Sequence, residues 1–289
     1  MGSLIRAEFR KIFTTNLWWG LLIPTVLLGV FWSWGFSALG TSLVEGLRSS
    51  EAFEGIDADS WMTSVFGFAR GANLSTLFPM IFGALAVTGE NYRRTITTTF
   101  LTAPSRGAAL GAKLVVYALM GLGFGVVVAL STSLGTVLGA GSTPLPGATG
   151  WFLLILSTIL ETVLWTLLGV GLGALVGNVF AAVIGLLFYA LLVENVGVIA
   201  LSNVVGTAFP TVLPNSSASG MPGAVAADLF LNGVGPIHPM FEKEARLLVE
   251  AAAGAQGAFP WWANTLIFTG YTALFVVLGW VGSRRRDIN

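Results

Sequence analysis

Six long stretches of this chain are apolar and almost free of charge. They cover about residues 17–39, 71–89, 114–139, 151–176, 179–198 and 261–281. An uncharged apolar run of about 18 or more residues can cross a bilayer as a helix. Only 10% of all residues are charged, whereas soluble domains carry roughly 25%. The sequence therefore predicts a single-domain, all-α polytopic membrane protein with six transmembrane helices.

Most basic residues lie beside the ends of these stretches. Ten of the 14 lysines and arginines occur before the first stretch, between the second and third, or after the last: Arg6, Arg10, Lys11, Arg93, Arg94, Arg106, Lys113, Arg284, Arg285 and Arg286. Short loops rich in Lys and Arg stay in the cytoplasm. We therefore expect both termini and segment 90–113 to be cytoplasmic, with the chain in the plasma (inner) membrane. Segments 41–70 and 199–260 then lie outside.

Several common functional sites are excluded or disfavoured by composition. The sequence has no cysteine, so a disulfide bond, a thiolate nucleophile and a Cys-based metal site are all excluded. His238 is the only histidine, and without clustered partners it predicts no metal site. The first apolar stretch is too long for a signal peptide and no clear A-x-A cleavage site follows, so we expect it to be retained.

The longer outer segment contains two different patterns. Ser202–Gly235 is rich in Gly, Pro, Ser and Asn but carries a single charge, Asp228. We expect it to dip back toward the membrane as short broken helices packed against protein. Pro239–Gly254 alternates apolar and charged residues at helical spacing and predicts an amphipathic surface helix.

Residues 1–15 predict an amphipathic helix at the inner membrane interface. Its apolar half carries Leu4, Ile5, Phe9, Ile12 and Phe13, and its basic half faces anionic headgroups. Glu8 falls inside the apolar arc. Two interpretations stay open for Glu8: a carboxylate paired with Lys11 one turn on, or a contact to a cytoplasmic partner.

Segment 90–113 is far longer than a turn between two spans requires. Thr95–Leu101 predicts a short helix that Pro104 stops, and Ser105 is a plausible N-cap for a second helix that continues into the third span. Such a helix-turn-helix would project into the cytoplasm and could dock a partner. A basic loop that only satisfies topology is the alternative.

Three stretches resemble the permease subunits of ABC-2 type transporters, especially their small six-span bacterial branch. Members open with an interfacial helix patterned like Ala7-Glu8-Phe9-Arg10-Lys11. After span two they carry a pattern like Glu90…Thr95…Leu101…Pro104-Ser105-Arg106…Ala112-Lys113, and they end as in Arg285-Arg286-Asp287-Ile288. The matches cover roughly a fifth of the chain, in the right order. One departure is Arg94, where the family usually has Gly.

The resemblance implies that segment 90–113 is a coupling element seated in a cleft of a separate P-loop ATPase, present in two copies per complex. It assigns coupling to Glu90, Arg93, Arg94, Thr95, Leu101, Pro104, Arg106 and Lys113 of this segment, and Glu8, Arg10 and Lys11 would flank the contact. ATP and magnesium would bind the partner, and this chain would be no enzyme and hold no cofactor. Consistently, the sequence lacks a G-x-x-x-x-G-K-[ST] phosphate loop.

Two acidic residues lie within apolar stretches. Glu161 is about 15 Å along the fourth span by helix rise, near the middle of the membrane, where an ionisable group is a candidate for function. Substrate contact or gating is one interpretation, and a hydrogen bond to Thr158, Thr162 or a neighbouring helix is the other. Glu194 approaches the outer interface, where solvation explains it more simply than a substrate or gating role.

Glycines spaced four residues apart predict close helix packing. The pairs are Gly121 and Gly125, Gly135 and Gly139, and the series Gly169, Gly173 and Gly177. Small residues at this spacing let two helices approach each other closely. We expect contacts within the chain, with a subunit interface as the alternative.

The leading hypothesis is half of a transport pore, completed by a second copy or a related permease chain. Export of an amphiphilic or apolar cargo such as a drug, peptide antibiotic or lipid fits the family branch and the weakly charged spans. A proton-coupled secondary transporter using Glu161 is the alternative, although the sequence indicates neither inverted repeats nor broken helices in both halves. A membrane enzyme would need convergent catalytic groups that the sequence lacks. Membrane lipids are expected partners, and nucleic acid is not.

Overall fold

The computed structural model describes residues 2–49, 59–95, 105–205, 210–236, 240–255 and 259–285. Over these ranges the protein is helical and contains no β-strand. The helices are α1 (Gly2–Phe13), α2 (Leu17–Arg48), α3 (Ser64–Ser75), α4 (Leu77–Tyr92), α5 (Arg106–Gly139), α6 (Ala148–Val176), α7 (Val179–Phe188), α8 (Glu194–Val205), α9 (Pro214–Val234), α10 (Glu242–Ala253) and α11 (Trp261–Arg285). A π-helical turn, Tyr189–Val193, joins α7 to α8.

Six helical segments in these ranges are long and apolar enough to cross a membrane. They are α2, α3 with α4, α5, α6, α7 continuing toward α8, and α11. The six-span prediction is therefore confirmed, and the chain is a multi-pass membrane protein by length and composition.

The first and second spans extend further than the sequence predicted. The first continues to Arg48 rather than residue 39, and the second begins at Ser64 rather than residue 71. Placing Arg70 outside the second span was wrong, because Arg70 lies within α3. Its guanidinium donates to the carbonyl oxygens of Ala251 and Ala252 at the end of α10. Those bonds give the guanidinium two hydrogen-bond acceptors within the bundle.

Span two is interrupted at Thr76, between α3 and α4. Pro79 explains the break, since its nitrogen cannot donate to the carbonyl of Ser75 and its ring crowds that carbonyl. Two half-helices result. The N-terminal half, α3, packs on α2, α9 and α10, whereas the C-terminal half, α4, packs on α6 and α7.

Spans four and five are joined by the tight turn expected at Gly177 and Asn178. Gly177 ends α6 in the left-handed region, with φ of 74°, where glycine has no steric cost. The side chain of Asn178 then caps α7 by accepting from the N–H of Ala181 at 3.1 Å. The amide of Asn91 donates to the carbonyl of Gly177 at 3.0 Å, which fixes this turn to the end of span two.

The glycine series pack helices within the chain, as expected. A Cβ at Gly169 would clash with the carbonyl of Met80 in α4, and one at Gly135 would clash with the carbonyl of Val30 in α2. A Cβ at Gly121 or at Gly125 would make a tight contact with α6, 3.0 Å from its nearest atom. As a result α6 contacts α4, α5 and α11, and α2 contacts α3 and α5.

The outer segment differs from its prediction in one respect. Short broken helices were expected over 202–235, but α9 is one continuous helix of 21 residues with Pro222 inside it. Residues 216–227 of α9 are buried, and Ala218 and Met221 pack with Trp165 of α6 and Phe268 of α11. The segment therefore does fold back against the bundle, as an intact helix.

The amphipathic helix predicted over residues 239–254 is confirmed as α10, Glu242–Ala253. Gly254 ends it in the left-handed region. Arg246 connects α10 to α9, because its guanidinium bonds Asp228 at 2.9 Å and Glu250 at 2.8 Å. Burial lowers the pKa of Arg246 and its two carboxylate partners raise it, with a net rise.

Candidate functional site

The N-terminal helix α1 lies beside the ends of α4 and α5, where four charged side chains meet. We call Glu8, Lys11, Glu90 and Lys113 the charge cluster. Glu8 and Lys11 come from α1, Glu90 from the last turn of α4 and Lys113 from the second turn of α5. The cluster therefore connects α1 to both helices that flank segment 90–113.

Each ammonium group of the cluster contacts both carboxylates. The Nζ atom of Lys113 lies 2.8 Å from Oε2 of Glu8 and 2.6 Å from Oε1 of Glu90. The Nζ atom of Lys11 lies 2.7 Å from Oε1 of Glu8 and 2.9 Å from Oε1 of Glu90. Two positive and two negative charges thus form one closed ring of charge-assisted hydrogen bonds.

The two lysines differ sharply in exposure. The side chain of Lys113 is 3% exposed and that of Lys11 is 44% exposed. Burial lowers the pKa of Lys11, but its hydrogen bonds to Glu8 and Glu90 raise it, and the net shift is upward. Lys113 is the buried lysine of the cluster. Removing one partner of a buried ion pair leaves an uncompensated charge, which is strongly destabilising.

The structure shows which residues Glu8, a carboxylate in the apolar arc of α1, contacts. Its predicted pairing with Lys11 is confirmed, and a second partner, Lys113, comes from the bundle. Apolar packing from Ile12, Phe82 and Tyr117 lies beneath the cluster. The sequence signal for this tertiary contact is a lysine set among small and apolar residues at the start of span three.

A cleft of about 420 Å³ opens beside the cluster, between α1, α4 and α5. Phe82, Leu85, Ala86 and Tyr117 form its apolar part. The four cluster residues and Arg93 line its charged part. The cleft is therefore amphiphilic, because its apolar lining and its charged lining lie at different positions along α4.

The other residues assigned to ATPase coupling are placed in part. Arg10, Arg93, Arg94 and Thr95 are exposed around the charge cluster. The short helix predicted over Thr95–Leu101 cannot be compared, because residues 96–104 lie outside the described residues, Leu101 and Pro104 included. Arg106 begins α5, and its side chain is likewise outside the described part.

Two details of the flanking turns bear on the family resemblance. Ser105 is the N-cap of α5, as predicted, and its hydroxyl accepts from the N–H of Ala108 at 3.1 Å. Arg94 has φ of 57°, in the left-handed region that glycine adopts without strain. The backbone conformation at Arg94 is thus one that suits the family's usual glycine.

Glu161 lies in the interior of the bundle, 1% exposed, on α6. The side chains of Trp165 and Thr76 are its hydrogen-bonding neighbours, and Thr76 is the residue at the break in span two. Its Oε2 atom has no hydrogen-bond partner among the described residues, and neither has the hydroxyl of Thr158. None of the ion pairs within the described ranges involves Glu161.

Glu194 is not a solvated interfacial residue, and that interpretation was wrong. It is 2% exposed, and its carboxylate accepts from the N–H of Asn215 at 2.8 Å and from the hydroxyl of Ser216 at 2.7 Å. Both donors belong to the first turn of α9. A carboxylate there is stabilised by the positive end of the helix dipole, so Glu194 caps α9.

Comparisons with known proteins give no family assignment. No protein-family model matches the chain, and no curated protein matches it. Within the described residues, no group of three or more His, Asp or Glu side chains is arranged to hold a metal ion.

Proposed function

We propose that the chain is the permease subunit of an ABC-2 type transporter, powered by ATP that a separate P-loop ATPase hydrolyses. Two observations support this proposal. The six spans agree with the span count of the family branch. The charge cluster joins the interfacial helix to both ends of segment 90–113, the segment to which the resemblance assigns coupling.

The charge cluster is the observation that carries the proposal. A partner that pushes on segment 90–113 would move the ends of α4 and α5, and the cluster makes α1 move with them. An isolated exposed ion pair contributes little energy, so it would transmit little movement from one helix to another. A ring that buries Lys113 is different, since breaking it leaves charge unpaired in the protein interior.

In the proposed arrangement both termini and segment 90–113 are cytoplasmic, and the chain lies in the plasma (inner) membrane. Tyr92 and Arg93, both exposed beside the cluster, contact the ATPase. A second copy or a related permease completes the pathway. Cargo is exported and is amphiphilic or apolar, in keeping with spans that carry few charges.

Loss of coupling with retained folding tests the proposal. Replacing Tyr92 and Arg93 together by Ala removes exposed side chains only, so the bundle should stay intact. We expect the complex purified from native membranes to hydrolyse ATP, and the double variant to lose at least half of that hydrolysis. Lys243→Ala, exposed on α10, is the matched control. An intact purified chain with no associated ATP hydrolysis contradicts the proposal.

Glu161 favours a second candidate, a proton-coupled secondary transporter. A buried carboxyl group with an oxygen lacking a partner in the described ranges is a typical proton carrier in membrane transporters. Under this alternative, efflux persists after ATP depletion, collapses with the proton gradient and is lost in Glu161→Gln. Under the leading proposal, efflux instead stops with ATP depletion.

A further inference from the structure

The cleft beside the charge cluster has the dimensions and lining of a ligand site. Its volume of about 420 Å³ falls within the roughly 300–1,000 Å³ of typical small-molecule sites. Phe82 lies eight residues before Glu90 on α4, so its backbone is about 12 Å further along the helix axis. The cleft therefore runs from a charged mouth to an aromatic floor.

Exposure decides which charge a ligand meets at the mouth. The carboxylates of Glu8 and Glu90 are covered, with side chains 7% and 13% exposed. Lys11 is 44% exposed, and Arg93, which also lines the cleft, is exposed. The accessible surface of the mouth is thus cationic, although the cluster itself is neutral.

We propose that this cleft binds one anionic phospholipid from the leaflet on the α1 side of the membrane. Its phosphate lies between Lys11 and Arg93, and part of an acyl chain lies on Phe82, Leu85 and Tyr117. Basic pockets between transmembrane helices bind acidic headgroups in this way. The apolar floor selects an amphiphile over free phosphate, which would leave that floor exposed to water.

Position in the membrane supports a lipid as the occupant. The amphipathic helix α1 forms one wall and belongs at the headgroup level. Leu17, where α2 begins, also lines the cleft, so the cleft lies where the chain enters the membrane. This inference depends on membrane location and not on the proposed function. Arg93 belongs to both proposals, so lipid binding is measured on the chain without an ATPase.

Native mass spectrometry of the full chain in mixed micelles tests the proposal, with phosphatidylglycerol and phosphatidylcholine as the lipid probes. We expect one retained phosphatidylglycerol in preference to phosphatidylcholine. Lys11→Gln with Arg93→Gln should weaken its retention by roughly tenfold or more, because each basic residue near a headgroup contributes about 1 kcal/mol. Arg6→Gln with Arg10→Gln, which alters basic residues of α1 that do not line the cleft, should change it less than about twofold.

A second variant leaves every charge in place. Gly89 lines the cleft, and a Cβ added to it meets no atom within 4 Å, so Gly89→Leu adds an apolar side chain beside the cleft from an unobstructed Cβ. It should abolish lipid retention. The matched control is Gly123→Leu, at another glycine whose Cβ would be unobstructed, and it should retain the lipid.

Each remaining outcome overturns the proposal. Equal retention of the two lipids, or full retention in Gly89→Leu, would show that the cleft holds no phospholipid. An equal loss in the Arg6 and Arg10 control would show nonspecific attraction to basic residues. Displacement of the lipid by millimolar inorganic phosphate would show an anion site that ignores the acyl chain.

Discussion

Lys113 places an ammonium group at a position that is 3% exposed. Burial of a charge is tolerated when hydrogen-bonded partners of opposite charge surround it. Glu8 and Glu90 supply two such bonds from two different helices. The stability of the contact between α1, α4 and α5 therefore depends on this one side chain more than on the exposed basic residues around it.

Replacing Lys113 by Met should destabilise the fold by about 3–5 kcal/mol, because Glu8 and Glu90 then share Lys11 alone. The measurement is denaturant or thermal unfolding of the purified chain in detergent. Lys243→Met, at an exposed position of α10, should change stability by less than about 0.5 kcal/mol. Adding Glu8→Gln to Lys113→Met should cost less than the sum of the two single changes. Additive losses would show that the two residues do not interact.

Arg94→Gly should stabilise the chain by roughly 1 kcal/mol, since a left-handed conformation costs a non-glycine residue about 1–2 kcal/mol. The neighbouring Arg93 has φ of −82°, so Arg93→Gly removes the same charge without relieving strain. That control should destabilise by about 0.5–1 kcal/mol. Unfolding midpoints compare the two, and equal shifts would argue against strain at Arg94.

At the scale of the element, α6 is positioned by glycines rather than by charges. A Cβ at Gly83 of α4 would clash with the carbonyl of Thr166 in α6, and one at Gly169 would clash with α4 in return. The two backbones are therefore in direct contact. Gly-containing faces permit this approach, which compensates for the missing hydrophobic driving force between helices in lipid.

Gly169→Ala should destabilise the bundle by about 1–3 kcal/mol or force α4 and α6 apart. Gly185→Ala in α7 is the matched control, because a Cβ there meets no atom within 4 Å. In that helix alanine should be neutral or stabilising by up to about 1 kcal/mol. Thermal unfolding measures both, and an equal effect of the two changes would mean that α4 and α6 are not in close contact.

The elements also show what pattern alone can predict. Six spans, the Ser105 cap and the Gly177 turn follow from local chemistry, and the structure has all three. The start of span two could not be predicted, because Arg70 is satisfied by carbonyls of α10, far away in sequence. The cap of α9 could not be predicted either, because Glu194 of α8 supplies it through a tertiary contact.

Across the whole molecule, the sequence predicted the local part of the candidate site but not the contacts between its helices. The pairing of Glu8 with Lys11 is local, one helical turn apart, and the sequence indicates it. Their bonds to Glu90 and Lys113 depend on how α1 lies against two spans, which no spacing encodes. The cleft and its cationic mouth arise from the same tertiary arrangement, so the sequence gives no direct sign of them.

The whole molecule also suggests how movement could pass through it. The C-terminal half of span two, α4, carries Glu90 of the charge cluster, and the N-terminal half, α3, carries Arg70, which bonds α10. Glu161 of α6 lies beside Thr76, where the halves meet. Under the proposed function, a push on segment 90–113 would bend span two at Thr76 and so reach the far end of the bundle.

Site-specific crosslinking tests the central claim most directly, and the natural absence of cysteine makes it straightforward. A photoreactive group is attached to Arg93→Cys, beside the charge cluster, or to Lys243→Cys, on α10. The chain is then irradiated in its native membrane. The account predicts a product between Arg93→Cys and a P-loop ATPase, and none from Lys243→Cys. No ATPase product from Arg93→Cys, or equal products from both positions, would contradict it.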